Sequence, residues 1–267
     1  MSSERAPDVL RAILAATRAV VETRKAACPV ERLAAAAEAR SPRGRQMVHR
    51  LAQSGSLNVI AECKRRSPSR GVLCRNYDAA GIAAGYEANG AAAISVLTEP
   101  TFFDGSLDDL EDVRARVGVP VLRKDFIVDA YQLVEARAAG ADAVLLIVAA
   151  LDDERLRELH ATSKSLGLAA LVEIHSRAEL GRALAVEADL IGVNSRDLKS
   201  LRVDRDVVWS LVDAIPDEVV AVAESGLGSR DDLQRLHDRG YDAFLVGERL
   251  VSSPDPGLAL GELLRCS

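Results

Sequence analysis

Aromatic residues and cysteines are both scarce in this sequence. Phe, Tyr and Trp make up 3% of the 267 residues, so Ala, Val, Leu and Ile must build the core. The cysteines lack the spacing of metal ligands, which argues against a cysteine-based metal site. We expect reduced thiols, as in a cytoplasmic protein, at all four positions, which are Cys28, Cys63, Cys74 and Cys266.

An excess of basic charge and a long apolar run are absent as well. The net charge of −6 argues against a general nucleic-acid-binding surface. The longest apolar stretch, residues 143–151, is far too short to cross a bilayer, and we expect no signal peptide. These features predict a cytoplasmic protein with neither nucleic-acid nor membrane partners.

Short apolar runs recur along the chain at the spacing that a strand, a helix and two loops require. They begin near residues 59, 92, 119, 142, 168, 189, 219 and 242. Eight strands that alternate with helices predict an α/β fold of the (β/α)8 TIM-barrel class. The alternative is an open doubly wound sheet, which usually has a glycine-rich loop after its first strand. Here a basic segment, residues 64–70, follows the first strand instead.

The chain before the first strand has only helical patterns. They cover Pro7–Lys25, Val30–Arg40 and Pro42–Gln53, with proline-containing breaks between them. We therefore predict one barrel domain over residues 1–267, of which about residues 1–55 form a helical N-terminal extension.

Most of the apolar runs end on charged or amide residues. Because parallel barrel strands bring their carboxyl ends to one face, we expect these side chains to meet at one mouth. With Arg196 included, three acidic and three basic side chains balance there, which favours their partial burial. A salt-bridge network that merely closes the barrel is the alternative to an acid–base site. The residues at the strand ends are Glu62, Lys64, Lys124, Glu173, Asn194 and Glu224.

Glycines follow the last two strands. Ser225, Gly226 and Gly228 come after strand seven, and Gly247 and Glu248 come after strand eight. Loops at these places in TIM barrels often bind phosphate through backbone N–H groups. We therefore predict a phosphate site here, with ordinary turn glycines as the alternative.

The four histidines are not at metal-ligand spacing, so no metal site is predicted. His49, His160 and His237 fall on helical stretches, where we expect them to be solvated. For His175, which follows Glu173, a place on the rim of the mouth is the less favoured alternative.

Six motifs lie at or after predicted strand ends. They are Ala61–Ser69, Leu97–Glu99 with Phe102–Ser106, Arg123–Asp129, Leu171–His175, Ile191–Leu198 and Val222–Gly226. In this combination, over roughly residues 5–262, the chain resembles the indole-3-glycerol-phosphate synthase family. Arg249 departs from the pattern, because the family usually has a small residue there. The departure leaves backbone phosphate contacts intact but makes a side-chain contact from position 249 doubtful.

The resemblance implies a substrate, 1-(2-carboxyphenylamino)-1-deoxyribulose 5-phosphate, and a reaction that needs no cofactor or metal. Ring closure, loss of CO2 and loss of water then give indole-3-glycerol phosphate. By resemblance Lys124 is the general acid of ring closure and Glu173 the base, and Lys64 orients the substrate. The other implied residues are Glu62 and Asn194 for catalysis, Ser67, Phe103, Phe126, Arg196, Glu224 and Ser225 for substrate, and Ser225, Gly226, Gly247 and Glu248 for phosphate.

An acid role requires Lys124 to keep its proton, so we predict a carboxylate beside it, from Glu62 or Glu173. Another phosphosugar barrel enzyme, such as phosphoribosylanthranilate isomerase, would lack the extension and the Lys124-Asp125-Phe126 strand end. A non-catalytic barrel that binds a phosphorylated ligand would lack Lys124 or Glu173. One self-contained barrel is compatible with a monomer, which we expect.

Overall fold

Eight parallel strands close into a barrel in the computed structural model, which describes residues 9–265. Each strand pairs with the next along the chain, and the last pairs with the first. The strands begin at or close to the predicted positions, so the predicted TIM-barrel class is confirmed. They are β1 (Asn58–Cys63), β2 (Ala93–Leu97), β3 (Val121–Lys124), β4 (Ala143–Ile147), β5 (Ala169–Ile174), β6 (Leu190–Asn194), β7 (Val220–Glu224) and β8 (Ala243–Val246).

Helices cover the outside of the barrel and alternate with the strands. Seven of them begin at an Asp or Ser whose side chain accepts a hydrogen bond from a backbone N–H of the first turn. The helices after β1 are α4 (Ala79–Ala88), α5 (Leu107–Arg116), α6 (Ala130–Ala138), α7 (Asp153–Ser165), α8 (Arg177–Ala185), α9 (Asp206–Leu211), α10 (Arg230–Asp238), α11 (Glu248–Val251) and α12 (Pro256–Leu264).

Alternate residues of each strand face opposite sides of the sheet, which divides the apolar side chains into two layers. Ile60 and Leu122 belong to the cluster inside the barrel. Val59 and Val121, their neighbours in sequence, belong to the cluster between barrel and helices. The interior is filled by side chains, so the barrel is a packed core whose polar groups are confined to its ends.

The N-terminal extension spans both ends of the barrel. Its helices are α1 (Val9–Ala27), α2 (Val30–Glu38) and α3 (Gly44–Leu51), and the predicted helical residues 7 and 8 lie outside the described residues. The backbone N–H of Val9 lies 3.5 Å from the carbonyl of Lys199, in the loop after β6. At the opposite end Met47 and Leu51 are fully buried against the barrel interior. The extension therefore packs onto the barrel, which supports our proposal of a single domain.

No helix within residues 9–265 is long and apolar enough to cross a membrane.

Candidate active site

The carboxyl ends of the strands bring the predicted charged residues together at one mouth. Glu62 lies on β1 and Glu173, Asn194 and Glu224 lie on β5, β6 and β7, all with at most 6% of their surface exposed. Lys124 ends β3 and is half-buried. Charged side chains persist at such depth only when they are paired, so their partners determine what the mouth does.

Lys124 lies between two buried carboxylates. Its Nζ is 3.2 Å from Glu224 Oε2 and 3.3 Å from Glu173 Oε2. The prediction of a carboxylate beside Lys124 is therefore confirmed for Glu173, whereas Glu62 pairs with Lys64 at 2.5 Å. Glu224, which was predicted at the mouth but was not one of the two candidates, is a second partner.

These contacts separate the protonation states of the three groups. Burial lowers the pKa of Lys124, but the charges of Glu224 and Glu173 outweigh it and raise this pKa above its ordinary value. Burial raises the pKa of Glu224 to about 8, and the neighbouring Glu173 adds to the shift while Lys124 opposes it. For Glu173 the effect of burial is outweighed by Lys124 and His175, which lower its pKa. At neutral pH the mouth therefore holds an ionised Glu173, whose charge keeps Lys124 protonated, and Glu224 adds its own charge only as the pH rises through about 8.

Two glycines make room for the glutamates of the mouth. A Cβ atom on Gly192, in β6, would overlap Glu224 Oε1. A Cβ atom on Gly247, after β8, would overlap Glu62 Oε1. Glycine at these positions lets a carboxylate occupy space beside the neighbouring strand that any other side chain would fill.

A cavity of about 690 Å³ opens at this mouth. Its lining includes polar groups from several strand-end loops, as expected for a TIM-barrel ligand site. The predicted residues in it are Glu62, Lys64, Phe103, Asn194, Arg196, Ser225, Gly226, Gly247 and Glu248.

The turn after β7 has an unusual backbone at the edge of the cavity. Ser225 and Gly226 both adopt positive φ, of 65° and 73°. A non-glycine residue in this conformation is uncommon and costs about 1–3 kcal/mol, and such strain is often found at binding sites. The turn directs the chain sharply past the cavity, where Arg205 and Arg249 also lie. Two cationic side chains beside a glycine-containing turn suit an anionic group.

The side chain of Glu248 is turned toward two arginines. Its carboxylate oxygens lie 3.4 Å from Arg70 Nε and 3.6 Å from Arg196 Nη2. Arg196 also donates to the carbonyl of Leu201, at 3.1 Å. A carboxylate paired in this way cannot itself hold a phosphate, so Glu248 can contribute only its backbone there.

Phe103 lines the cavity and packs near Phe126, which is buried and is not part of the cavity lining. The ring centroids of Phe103 and Phe126 are 6.1 Å apart. The buried carboxylate of Glu99 accepts hydrogen bonds from the backbone N–H groups of residues 101–103, which holds the Phe103 loop. Asp125 Oδ1 accepts from Phe126 N, which holds the other loop. The two rings are therefore positioned by carboxylates from adjacent strands.

A buried polar network lies behind β3 and joins these two loops. Arg123, which is fully buried, is 2.9 Å from Asp125 and 2.8 Å from Glu135 of α6. Its Nε donates to Thr98 Oγ1, which in turn donates to Asp125 Oδ2. Arg24 of α1 also contacts Glu135, at 3.1 Å. The network thus links the N-terminal extension to the residues on both sides of Lys124.

Comparison with known proteins decides the family. The family model described as indole-3-glycerol phosphate synthase matches residues 10–263. The chain belongs to the indole-3-glycerol phosphate synthase family. This family consists of carboxy-lyases of tryptophan biosynthesis, so the predicted family, function and enzyme class are confirmed.

Relatives match almost the whole length of this chain. An indole-3-glycerol phosphate synthase of Nocardioides sp. is 52% identical over 93% of this chain and 95% of its own length. That of Mycobacteroides abscessus is 49% identical over 96% of this chain. Among solved structures, KGPDC of Streptococcus mutans in complex with D-R5P has a TM-score of 0.61 at 15% identity, covering 78% of this chain and 95% of its own. A likeness at that identity supports the barrel fold alone.

The cavity lining lacks the predicted Ser67 and includes two residues that were not predicted, Ser69 and Arg205. Ser67 lies buried in the loop after β1, where its Oγ accepts from Arg70 N at 3.3 Å. Ser69, two residues on, lines the cavity and contacts Arg196 at 3.4 Å. Arg205 was not predicted. It reaches the cavity because the loop after β6 folds back on itself, with an antiparallel bridge between Arg196 and Val203. No local sequence pattern indicates this fold of the loop.

One prediction about the histidines of the chain is wrong. His160 was expected to be solvated, but it is buried on α7, with 6% of its surface exposed. Burial lowers the pKa of His160, which favours its neutral form. His175 is not part of the cavity lining and lies behind Glu173, with Nε2 3.4 Å from Glu173 Oε1. Within residues 9–265 no cluster of three or more His, Cys, Asp or Glu side chains is arranged to hold a metal ion.

Proposed function

We propose that the mouth of this barrel binds 1-(2-carboxyphenylamino)-1-deoxyribulose 5-phosphate and that Lys124 is the acid of ring closure. The observation that carries the proposal is the position of Lys124 between Glu173 and Glu224. The pairing keeps the lysine protonated, as a proton donor must be, while its side chain stays 13% exposed. An exposed lysine would be equally charged but would lack the fixed geometry.

In the first step the aryl carbon that bears the carboxylate attacks the ketone carbon of the substrate. A carbon–carbon bond forms, and the electron pair of the carbonyl moves to oxygen. Lys124 donates its proton to that oxygen, so a hydroxyl group results and no alkoxide builds up in the buried mouth. Loss of CO2 then returns the electrons of the broken carbon–carboxylate bond to the ring and restores its aromaticity.

The last step removes water and forms the indole. Glu173 accepts the proton that the five-membered ring loses, because its lowered pKa keeps it ionised despite burial. Lys64, which lines the cavity and pairs with Glu62 at 2.5 Å, orients the substrate and protonates the departing hydroxyl. Asn194, 6% exposed at the tip of β6, lines the same cavity and holds the substrate hydroxyls.

The two ends of the substrate are held by different parts of the mouth. Phe103 and Phe126 flank the anthranilate ring, and Arg196 holds its carboxylate. The phosphate takes the opposite edge, at the backbone of Ser225, Gly226, Gly247 and Glu248. The positive-φ turn after β7 and the cations Arg205 and Arg249 support this orientation. Ser67 acts indirectly in this arrangement, since its hydroxyl holds the loop that carries Ser69.

Replacement of Lys124 tests the proposal. We expect Lys124→Ala to lower kcat by at least about 100-fold, the usual scale for a general acid, with a folded barrel. Indole fluorescence follows product formation. The matched control is Lys164→Ala on α7, whose side chain is 53% exposed and pairs with Asp189 outside the mouth. A raised KM with unchanged kcat in Lys124→Ala would assign the lysine to binding and overturn its role as acid.

A monomer without cofactor or metal, located in the cytoplasm, is what we propose, since one barrel mouth contains every group that the three steps use.

A further inference from the structure

His175 and Glu179 form a charged pair directly behind Glu173. His175 follows β5, and its Nε2 lies 3.4 Å from Glu173 Oε1. On the other side its Nδ1 lies 3.3 Å from Glu179 Oε2, in the first turn of α8. The same Glu179 oxygen accepts the backbone N–H of His175 at 2.7 Å, so the loop between the two residues is held rigidly. The proposed reaction steps use neither residue.

Two buried atoms that face each other here lack hydrogen-bond partners. Glu173 Oε1 and His175 Nε2 are both inaccessible to solvent, and neither makes a hydrogen bond within the described part of the chain. Buried polar atoms are nearly always satisfied, so each such exception requires an explanation. A small rotation of the imidazole would direct an Nε2–H at Oε1 and satisfy both atoms.

The groups that face His175 are predominantly acidic. They are Glu173 on β5, Glu179 on α8, Glu224 on β7 and Asp197 in the loop after β6, with Lys124 on the far side of Glu173. Burial lowers the pKa of His175, but its hydrogen bond to Glu179 and the charge of Glu173 outweigh burial and raise this pKa above its ordinary value. The imidazolium form, which carries an N–H on both ring nitrogens, is thereby favoured.

We propose that His175, held by Glu179, is a positioning residue that orients the carboxylate of Glu173 and keeps it ionised after Lys124 has given up its proton. This inference rests on the proposed role of Glu173 as base. When Lys124 donates, the mouth loses the positive charge 3.3 Å from Glu173. A buried carboxylate without a cation takes up a proton readily and would then be unable to act as a base in dehydration. The imidazolium is the second cation that prevents this.

The pH dependence of kcat tests the inference. In His175→Gln the amide still hydrogen-bonds but carries no charge, so we expect the acid limb of kcat to move up by about one pH unit. Turnover then falls roughly tenfold on the acid side and recovers at higher pH, with KM changed less than about twofold. His175→Ala, which also removes the hydrogen bond, should lower kcat across the whole pH range. His49→Gln, at an exposed position on α3, is the matched control and should leave the profile unchanged.

A second measurement separates this inference from the role of Glu173. Nitrogen-15 NMR titration of His175 should give a pKa above the ordinary histidine value in the unaltered protein and a lower one in both Glu179→Gln and Glu173→Gln. If Glu173→Gln is inactive but His175→Gln keeps the original acid limb, the inference is overturned while the proposed base remains. If Glu173→Gln retains turnover, the base role fails, and the inference fails with it. An imidazole pKa that does not respond to either substitution also overturns the inference.

Discussion

Gly192→Ala is the substitution that tests most directly how the mouth is built. The glycine lies in β6, and an added Cβ would overlap Glu224 Oε1 and come within 3.2 Å of Leu171 Cδ1. Leu171 is fully buried, so it cannot move away, and the carboxylate must yield. We expect Glu224 to swing out and lose its 3.2 Å contact with Lys124.

The cost of Gly192→Ala follows from two effects. Forcing one extra methyl group into a packed interior costs about 1–3 kcal/mol. The displaced Glu224 also ceases to pair with Lys124, so kcat should fall along with stability. Urea unfolding gives the first quantity, and indole formation gives the second. The matched control is Gly181→Ala on α8, where a Cβ meets nothing within 4 Å and should stabilise the helix by about 0.5–1 kcal/mol.

A double-mutant cycle decides whether Glu224 is the reason. In a Glu224→Ala background the carboxylate is gone, so adding Gly192→Ala should cost at least about 1 kcal/mol less than in the unaltered protein. Additive free energies of unfolding would refute the reasoning. A single Gly192→Ala variant with the original stability and turnover would also refute it, because the Glu224 carboxylate would then avoid the added methyl group at no cost.

Two further predictions concern buried charges near Lys124. Because the pKa of Glu224 is raised to about 8, a second carboxylate forms beside Lys124 as the pH rises through that value, which makes the lysine a weaker acid. We therefore expect kcat to fall as the pH rises through about 8. Glu224→Gln should abolish this fall. The stability that neutral Glu224 contributes is complete below its unfolded pKa of about 4.3 and is lost as the pH rises through about 8. The urea midpoint of Glu224→Gln should therefore lack this loss. Equal pH dependence of the urea midpoint in both proteins would contradict the assignment. Arg123→Leu leaves Asp125 and Glu135 without their shared buried cation. We expect it to lower the free energy of unfolding in urea by about 3–5 kcal/mol. The control Arg116→Leu, at an exposed position on α5, should change that free energy by no more than about 0.5 kcal/mol. A cost below about 1 kcal/mol for Arg123→Leu would show that the network is unimportant for stability.

The order of strands and helices could be predicted because it depends on local patterns. A strand of this barrel shows an apolar run, and its end shows a charged residue, both within a few neighbouring positions. Glu62 and Lys64 share a direction because alternate residues of a strand face the same side. The helix bounds were predicted less closely, since α2 ends at Glu38 and not at Arg40, and helix ends depend on the last few hydrogen bonds.

The pairing of charges could be predicted only in part. A carboxylate beside Lys124 follows from the chemistry of an acid, and Glu173 is one such partner. Which second glutamate reaches the lysine depends on the space that Gly192 leaves, and a lone glycine in a strand has several possible meanings in a sequence. The burial of His160 was mispredicted for a related reason, because a helical pattern does not say which face the next element covers.

The sequence by itself determined the repeat of strands and helices, the face on which the polar strand ends meet, and the set of acidic and basic groups present there. These properties follow from backbone geometry over a few residues. The tertiary structure alone decided that Glu224, 100 residues from Lys124 along the chain, is its partner, that Ser69 rather than Ser67 lines the cavity, and that His175 stands behind Glu173. Distances of this kind are set by barrel closure and by the packing of glycines against carboxylates, and no local pattern contains them.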